Sequence, residues 1–223
     1  EPFYCYMTGT AMAVKETEEV SGDNFAFFEA DDGNFTMVLS DGMGSGENAC
    51  RDSEAVADMT EAMLEAGLPL EMAVQLVNSA VASEGREENM PTLDLCSVDL
   101  CEGSCRFMKT GAAVSFIKRG SIVEKIDGGT FPLGAFGYAQ AKPAECQLMD
   151  GDYIIMLSDG MTEGWPDGDG ESKLESMIGR IGAVSPGELA NSIMKYAIEQ
   201  CQGRIRDDMT VLTAGIWERT RED

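Results

Sequence analysis

Histidine is absent from all 223 residues of this chain. That absence removes Ser-His-Asp and Cys-His nucleophile systems, phosphohistidine relays and zinc sites with imidazole ligands. Basic residues are also scarce, with 16 Lys and Arg against 40 Asp and Glu, a formal net charge of −24. A field of that sign repels nucleic acid and anionic membrane surfaces and concentrates cations. It would repel a phosphorylated substrate too, unless bound metal ions reversed the sign locally. No apolar run is long enough to cross a bilayer, and no signal peptide is visible. The seven cysteines include no Cys-x-x-Cys pair, and several fall inside strand-like apolar patterns, so a reduced, cytosolic state is expected. The chain opens on Glu1-Pro2-Phe3 rather than Met, which leads us to expect a fragment of a longer protein. Any membrane span would then lie outside it.

What is present is a core-forming content of 43% apolar residues and a pentapeptide that occurs twice. Leu-Ser-Asp-Gly-Met stands at Leu39 to Met43 and again at Leu157 to Met161, each time closing an apolar run. Those runs are Phe35 to Leu39 and Tyr153 to Leu157, and both read as strands. A third acidic site, Asp207-Asp208, precedes the final apolar run Val211-Leu212-Thr213. One Asp-Gly is ordinary turn chemistry. Three aspartates at three strand termini, far apart in sequence, are what a carboxylate cage for hard divalent cations requires. Carboxylates without His or Cys suit Mg²⁺ or Mn²⁺ rather than zinc. Two such ions about 3.5–4 Å apart can neutralise phosphoester oxygens and supply a hydroxide nucleophile. Aspartyl-phosphate chemistry would instead want Asp-x-Asp, and position 43 is Met.

The order of elements is strands, a helix pair, strands, helices and a last strand. The spacing predicts helices from about Ser45 to Ala66, from near Pro69 onward, over Ser172 to Ile181, and from a capping box at Ser185-Pro186-Gly187-Glu188. Leu93 to Leu157 reads as β throughout, with hairpin turns at Glu102-Gly103 and Arg119-Gly120. Asp31-Asp32-Gly33-Asn34 reads as another turn. Asp167 to Glu171 reads as a mobile acidic loop at the edge of the site. Strands and helices do not alternate regularly, so an α+β layered domain over residues 1–223 is predicted. Glu54, Asp58, Glu61 and Glu65 form an acidic stripe on the first helix, a solvated face by default.

Seven segments carry a resemblance that spans the chain. They are Ser21-Gly22-Asp23, Ser40 to Gly46, Thr92 to Leu95, Phe116 to Gly120, Phe131-Pro132-Leu133-Gly134, Ser158-Asp159-Gly160, and Asp207 to Val211. In that order they resemble the PPM metal-dependent serine/threonine phosphatases, and within them a sporulation branch. The resemblance implies a four-layer α-β-β-α sandwich of two mainly antiparallel sheets with two or more Mn²⁺ or Mg²⁺ ions at one end. It implies Asp41 as the bridging ligand, Gly42 as a ligand through its carbonyl, and Asp159 and Asp207 completing one metal's shell. Asp41, Asp159 and Asp207 are thus the catalytic set, with Asp23 acting largely through water. Asp208 stands where many members have Asn, which implies a supporting role or a modest extra ligand. Met43 stands where many eukaryotic members carry His. Lys15 is the nearest cation to their phosphate-clamping Arg, although a solvated strand-end lysine is the simpler reading. The implied substrate is a phosphorylated anti-anti-sigma factor whose dephosphorylation frees a sporulation sigma factor. The implied setting is the cytoplasmic face of a membrane, with a homodimer possible through the helix pair 45–83. A non-catalytic phosphatase-fold binding module and a hydrolase of small phosphoesters are the competing readings.

Overall fold

The computed structural model describes residues 2–30, 33–83, 90–129, 131–136, 143–163, 165–166 and 168–219. Ten strands and four α-helices are found among them: β1 (Tyr4–Ala13), β2 (Asp23–Glu29), β3 (Asn34–Asp41), α1 (Gly46–Glu65), α2 (Leu70–Ser83), β4 (Leu93–Asp99), β5 (Ser104–Thr110), β6 (Ser115–Arg119), β7 (Ile122–Ile126), β8 (Ala144–Gln147), β9 (Asp152–Leu157), α3 (Gly170–Arg180), α4 (Pro186–Gln200) and β10 (Met209–Glu218). One sheet has the order β1-β10-β9-β6-β7 and the other β2-β3-β4-β5-β8. Every pairing is antiparallel. The predicted α+β sandwich is what forms.

The two-residue alternation of a strand explains the layers. On β3, Met37 and Leu39 point between the sheets, where they meet Ile154, Met156, Leu212 and Ala214. Val38 points the other way, against Val56, Ala57, Ala73 and Val77 of α1 and α2. Both faces of β3 are therefore buried, which is why its sequence is continuously apolar rather than alternating. The opposite outer layer packs Leu174 and Ile178 of α3 and Leu189, Ile193 and Ala197 of α4 on Phe116, Ile155 and Val211. No described helix is long and apolar enough to cross a membrane.

Local signals in the sequence agree with this arrangement. Ser185 caps α4 by accepting from the Glu188 N–H, while the Glu188 carboxylate accepts from the Ser185 N–H, completing the capping box. The hairpin turns at Gly103 and Gly120 have positive φ, 73° and 58°. The acidic loop is a correction. Helix α3 begins at Gly170, with Asp169 at its N-cap, and Glu171 pairs with Lys125 at 2.6 Å. An acid in a first turn is favoured by the positive end of the helix dipole, and Gly170 and Glu171 belong to the helix rather than to a loop. Asp167, Asp31 and Asp32 lie outside the described residues.

Candidate functional site

Strand β2 brings Asp23 directly opposite Asp41, the last residue of β3. Asp159 opens a short 3-10 turn, Asp159–Met161, just past β9. Asp207 lies two residues before β10, whose Val211 pairs with Leu157. A hydrogen bond of 2.6 Å from the Thr210 hydroxyl to Asp23 Oδ2 joins the two sheets at this end. Four carboxylates from four separate segments are thereby delivered to one end of the sandwich.

Backbone contacts fix the first of them. The Asp41 N–H donates to Thr92 Oγ1 at 3.0 Å, and the Thr92 N–H donates to the Asp41 carbonyl at 2.8 Å. Gly42 follows, its N–H donating to the Gly22 carbonyl at 3.1 Å. The turn then passes through Gly44 and Gly46, with φ of 98° and 75°, a left-handed conformation that favours glycine. That geometry starts α1 directly behind the Asp41-Gly42 corner.

The acids perturb one another strongly. Burial, then the charges of Asp23 and Asp159, a hydrogen bond with Asp159 and the charge of Asp207 push the Asp41 carboxyl up to about 10. Burial raises Asp23 to about 6, against hydrogen bonds from Thr210 and Ser158. Asp207 is raised as well, by burial first, although the Asp208 N–H and Lys15 oppose the shift. Glu163 is raised chiefly by the charge of Asp159. Raised carboxyls gathered with Lys15 as the one neighbouring cation named among their influences are what a cation site looks like from the protein's side. Asp23 Oδ1 is buried and has no hydrogen-bond partner, so it offers a lone pair to a ligand. Among the described residues, no three acidic or thiol side chains close around a common point as they stand. Their convergence is pairwise, and the residue types and burial fit divalent cations bound partly through water.

The structure gives two further residues their surroundings. Asp208 is buried, and its carboxylate accepts from the Lys15 N–H at 2.9 Å and the Gly22 N–H at 2.7 Å. It ties the chain before β2 to the start of β10, a supporting role. Lys15 is not simply solvated, because its ammonium lies 3.9 Å from Asp207. With both side chains part-exposed, that pair adds little stability. Met43 is 49% exposed beside the site.

Sequence reasoning gave no role to Thr92, Ser158, Thr210, Glu163, or the buried pair Asp94 and Lys109. A charged residue between apolar neighbours, as in Leu93-Asp94-Leu95 and Met108-Lys109, was the available signal.

Comparison with known proteins agrees with this geometry. The family model for stage II sporulation protein E (SpoIIE) matches residues 31–217. The stage II sporulation protein E of Priestia megaterium is 34% identical over 218 residues, which covers 97% of this chain and 37% of that protein. The chain thus spans little more than a third of that relative's length. The solved PP2C phosphatase domain of SpoIIE from Bacillus subtilis, with a fragment of its regulatory domain, superposes with a TM-score of 0.92 at 33% identity, covering 99% of this chain and 66% of that one. The phosphoserine phosphatase RsbX of Bacillus subtilis is 25% identical over 203 residues, covering 89% of this chain and 88% of RsbX. A crystal structure of RsbX in complex with magnesium shares the fold, with a TM-score of 0.73, 20% identity, and coverage of 95% of both chains. The chain belongs to the stage II sporulation protein E family, and its domain has the fold of the PPM (PP2C) serine/threonine phosphatases.

Proposed function

We propose that this domain dephosphorylates a phosphoserine or phosphothreonine of an anti-anti-sigma factor and so activates a sporulation sigma factor. The observation that carries the reading is the gathering of Asp23, Asp41 and Asp207, whose carboxyls are raised, with Asp159 beside Asp41 at one end of the sandwich, in a chain of this family. In this reading Asp41, the Gly42 carbonyl, Asp159 and Asp207 would hold Mn²⁺ or Mg²⁺ ions, with Asp23 acting through water. Such ions, when bound, neutralise the phosphoryl oxygens and supply the nucleophile. The protein's own groups do the positioning. Thr92 holds the Asp41 backbone, Thr210 holds Asp23, and Asp208 keeps the Lys15 and Gly22 segments in place. In the full-length protein the domain would face the cytoplasm, anchored through segments outside this chain. Met72 and Leu76, exposed on α2, favour the helix pair as a contact between two copies.

Turnover of a phosphorylated anti-anti-sigma factor under Mn²⁺, set against p-nitrophenyl phosphate, tests the reading. Preference for the phosphoprotein by about 10²-fold or more in kcat/KM is expected if remote binding energy is used in the transition state. Equal use of both would favour a small-phosphoester hydrolase, and binding without turnover a recognition module.

A second expectation concerns pH. With no histidine in the chain, no imidazole can protonate the leaving alkoxide. The kcat profile at saturating Mn²⁺ should show no falling limb between pH 6 and 8, a range set by the ordinary imidazole pKa of about 6.5. A clear falling limb there would contradict this account of the leaving-group step.

A further inference from the structure

Just inside the metal end, between the sheets, sits a charged cluster with no assigned task. Asp94 on β4 lies opposite Leu39 on β3 and opposite Lys109 on β5. Leu39 faces the inter-sheet core, so directly opposed Asp94 and Lys109 face it too. Their side chains are 1% and 6% exposed. The Lys109 ammonium donates to Asp94 Oδ2, to the Ala113 carbonyl at 2.6 Å and to Ser115 Oγ at 2.8 Å. Those three bonds use all its donors. The Ser115 hydroxyl, from β6 in the other sheet, donates to the same Asp94 Oδ2 at 2.9 Å.

Asp94 Oδ1 is left without a partner. Asp94 lines one small cavity together with Asp41, Asp159, Ser158, Thr92 and Ala112, with about 10 Å³ of room for a solvent centre. That is space for a single water, in a polar setting that can hold it. The unpartnered carboxylate oxygen and the water-sized cavity thus belong to the same residue, Asp94, and Asp41, Thr92, Ser158 and Asp159 supply further polar groups to the cavity lining.

Stability does not account for the cluster. A buried ion pair costs so much desolvation that apolar side chains of the same volume commonly serve as well or better, and a large apolar cluster fills the inter-sheet core beside it. We propose that Asp94, fixed by Lys109 and Ser115, is a positioning residue for the Asp41 carboxylate. Its free oxygen holds a buried water that hydrogen-bonds towards Asp41 and Asp159 and sets the direction in which Asp41 presents its oxygens to a divalent cation. The inference rests on the metal-site reading above. It adds a support behind the ligands, of the kind whose loss in other metal sites weakens affinity while the ligands stay intact.

The test uses the 223-residue chain and Mn²⁺ alone, followed by calorimetry, with thermal melting of the metal-free protein alongside. The double variant Asp94→Leu/Lys109→Met removes both charges together. Ala112→Val fills the cavity and keeps the pair. Both should bind Mn²⁺ about 10- to 100-fold more weakly, the usual size of an outer-shell effect, with metal-free melting unchanged or higher in the double variant. Mn²⁺ affinity equal to that of the unmodified chain in either folded variant would overturn the proposal, and if the double variant does not fold, Ala112→Val decides. Failure of the unmodified chain to bind Mn²⁺ at all would overturn the metal-site reading and this proposal together.

Discussion

Asp41→Asn is expected to lower turnover at least about 10³-fold, because several kcal/mol of charge stabilisation pass through the metals it would bridge and each 1.36 kcal/mol is tenfold in rate. It is also expected to make the metal-free protein more stable. Folding buries the Asp41 carboxyl, among other acids, and raises it from an ordinary 3.8 to about 10. A carboxyl raised on folding binds more protons in the native state than in the unfolded chain. Its contribution to stability is therefore full below about 3.8 and is lost as pH rises towards about 10. Asp23 adds a slope of the same sign between 3.8 and about 6. Asparagine carries no charge, so the variant should melt about 5 °C or more above wild type at neutral pH without metal, and its melting temperature should vary less with pH. Mn²⁺ should raise the melting temperature of wild type and not of the variant. In wild type, metal binding should release protons and weaken as pH falls. Thermal melts with and without Mn²⁺ at several pH values, alongside phosphopeptide turnover, check all of this. Retention of activity, or an equal Mn²⁺ shift in both proteins, would remove Asp41 from the centre.

Gly42→Ala should cost both stability and activity, for a steric reason. A Cβ at position 42 would lie 2.0 Å from the Ala49 carbonyl oxygen, 2.6 Å from its carbon and 2.8 Å from the Ala49 Cα. All three atoms are backbone of α1, so no side-chain rotation relieves the clash. Either the first turn of α1 moves away or the end of β3 does. The Gly42 N–H is tied to Gly22, and Asp41 is tied to Thr92, which leaves little slack on the strand side. We expect a loss of about 3 kcal/mol or more, the upper range for overpacking. A corner displaced by about 1 Å should also lower kcat roughly 10²-fold, because misplacement on that scale is enough to spoil a reactive geometry. A melting temperature within about 2 °C of wild type would show that α1 yields easily here. Gly160 repeats the situation on the other sheet, where a Cβ would meet the Asp208 carbonyl at 2.1 Å. The shared Asp-Gly of the two pentapeptides thus has a packing basis in each copy.

The repeated Leu-Ser-Asp-Gly-Met and the third acidic pair were enough to single out Asp41, Asp159 and Asp207, which the structure brings to one end of the sandwich. These features are local, since an apolar strand ending in Asp-Gly announces both the element and the exposed end of it. The helices of both outer layers were legible for the same reason, through apolar spacing and the capping box at Ser185. The start of α3 was not, because Asp-Gly-Asp-Gly is loop chemistry until Lys125, 46 residues away, pairs with Glu171. Long-range contacts of that kind decided everything else. Asp208 became a tie between loops only because β10 runs back beside β1 and places it against the Lys15 and Gly22 amides, 193 and 186 residues distant in sequence. Asp94 and Lys109 read as interruptions in apolar strands. Strand register set them face to face between the sheets, and the closure of the sandwich added Ser115 and a water-sized cavity against Asp41. Sequence patterns report which face a side chain takes. Which partner it meets there depends on how separate strands are brought together, and that is a property of the folded chain alone.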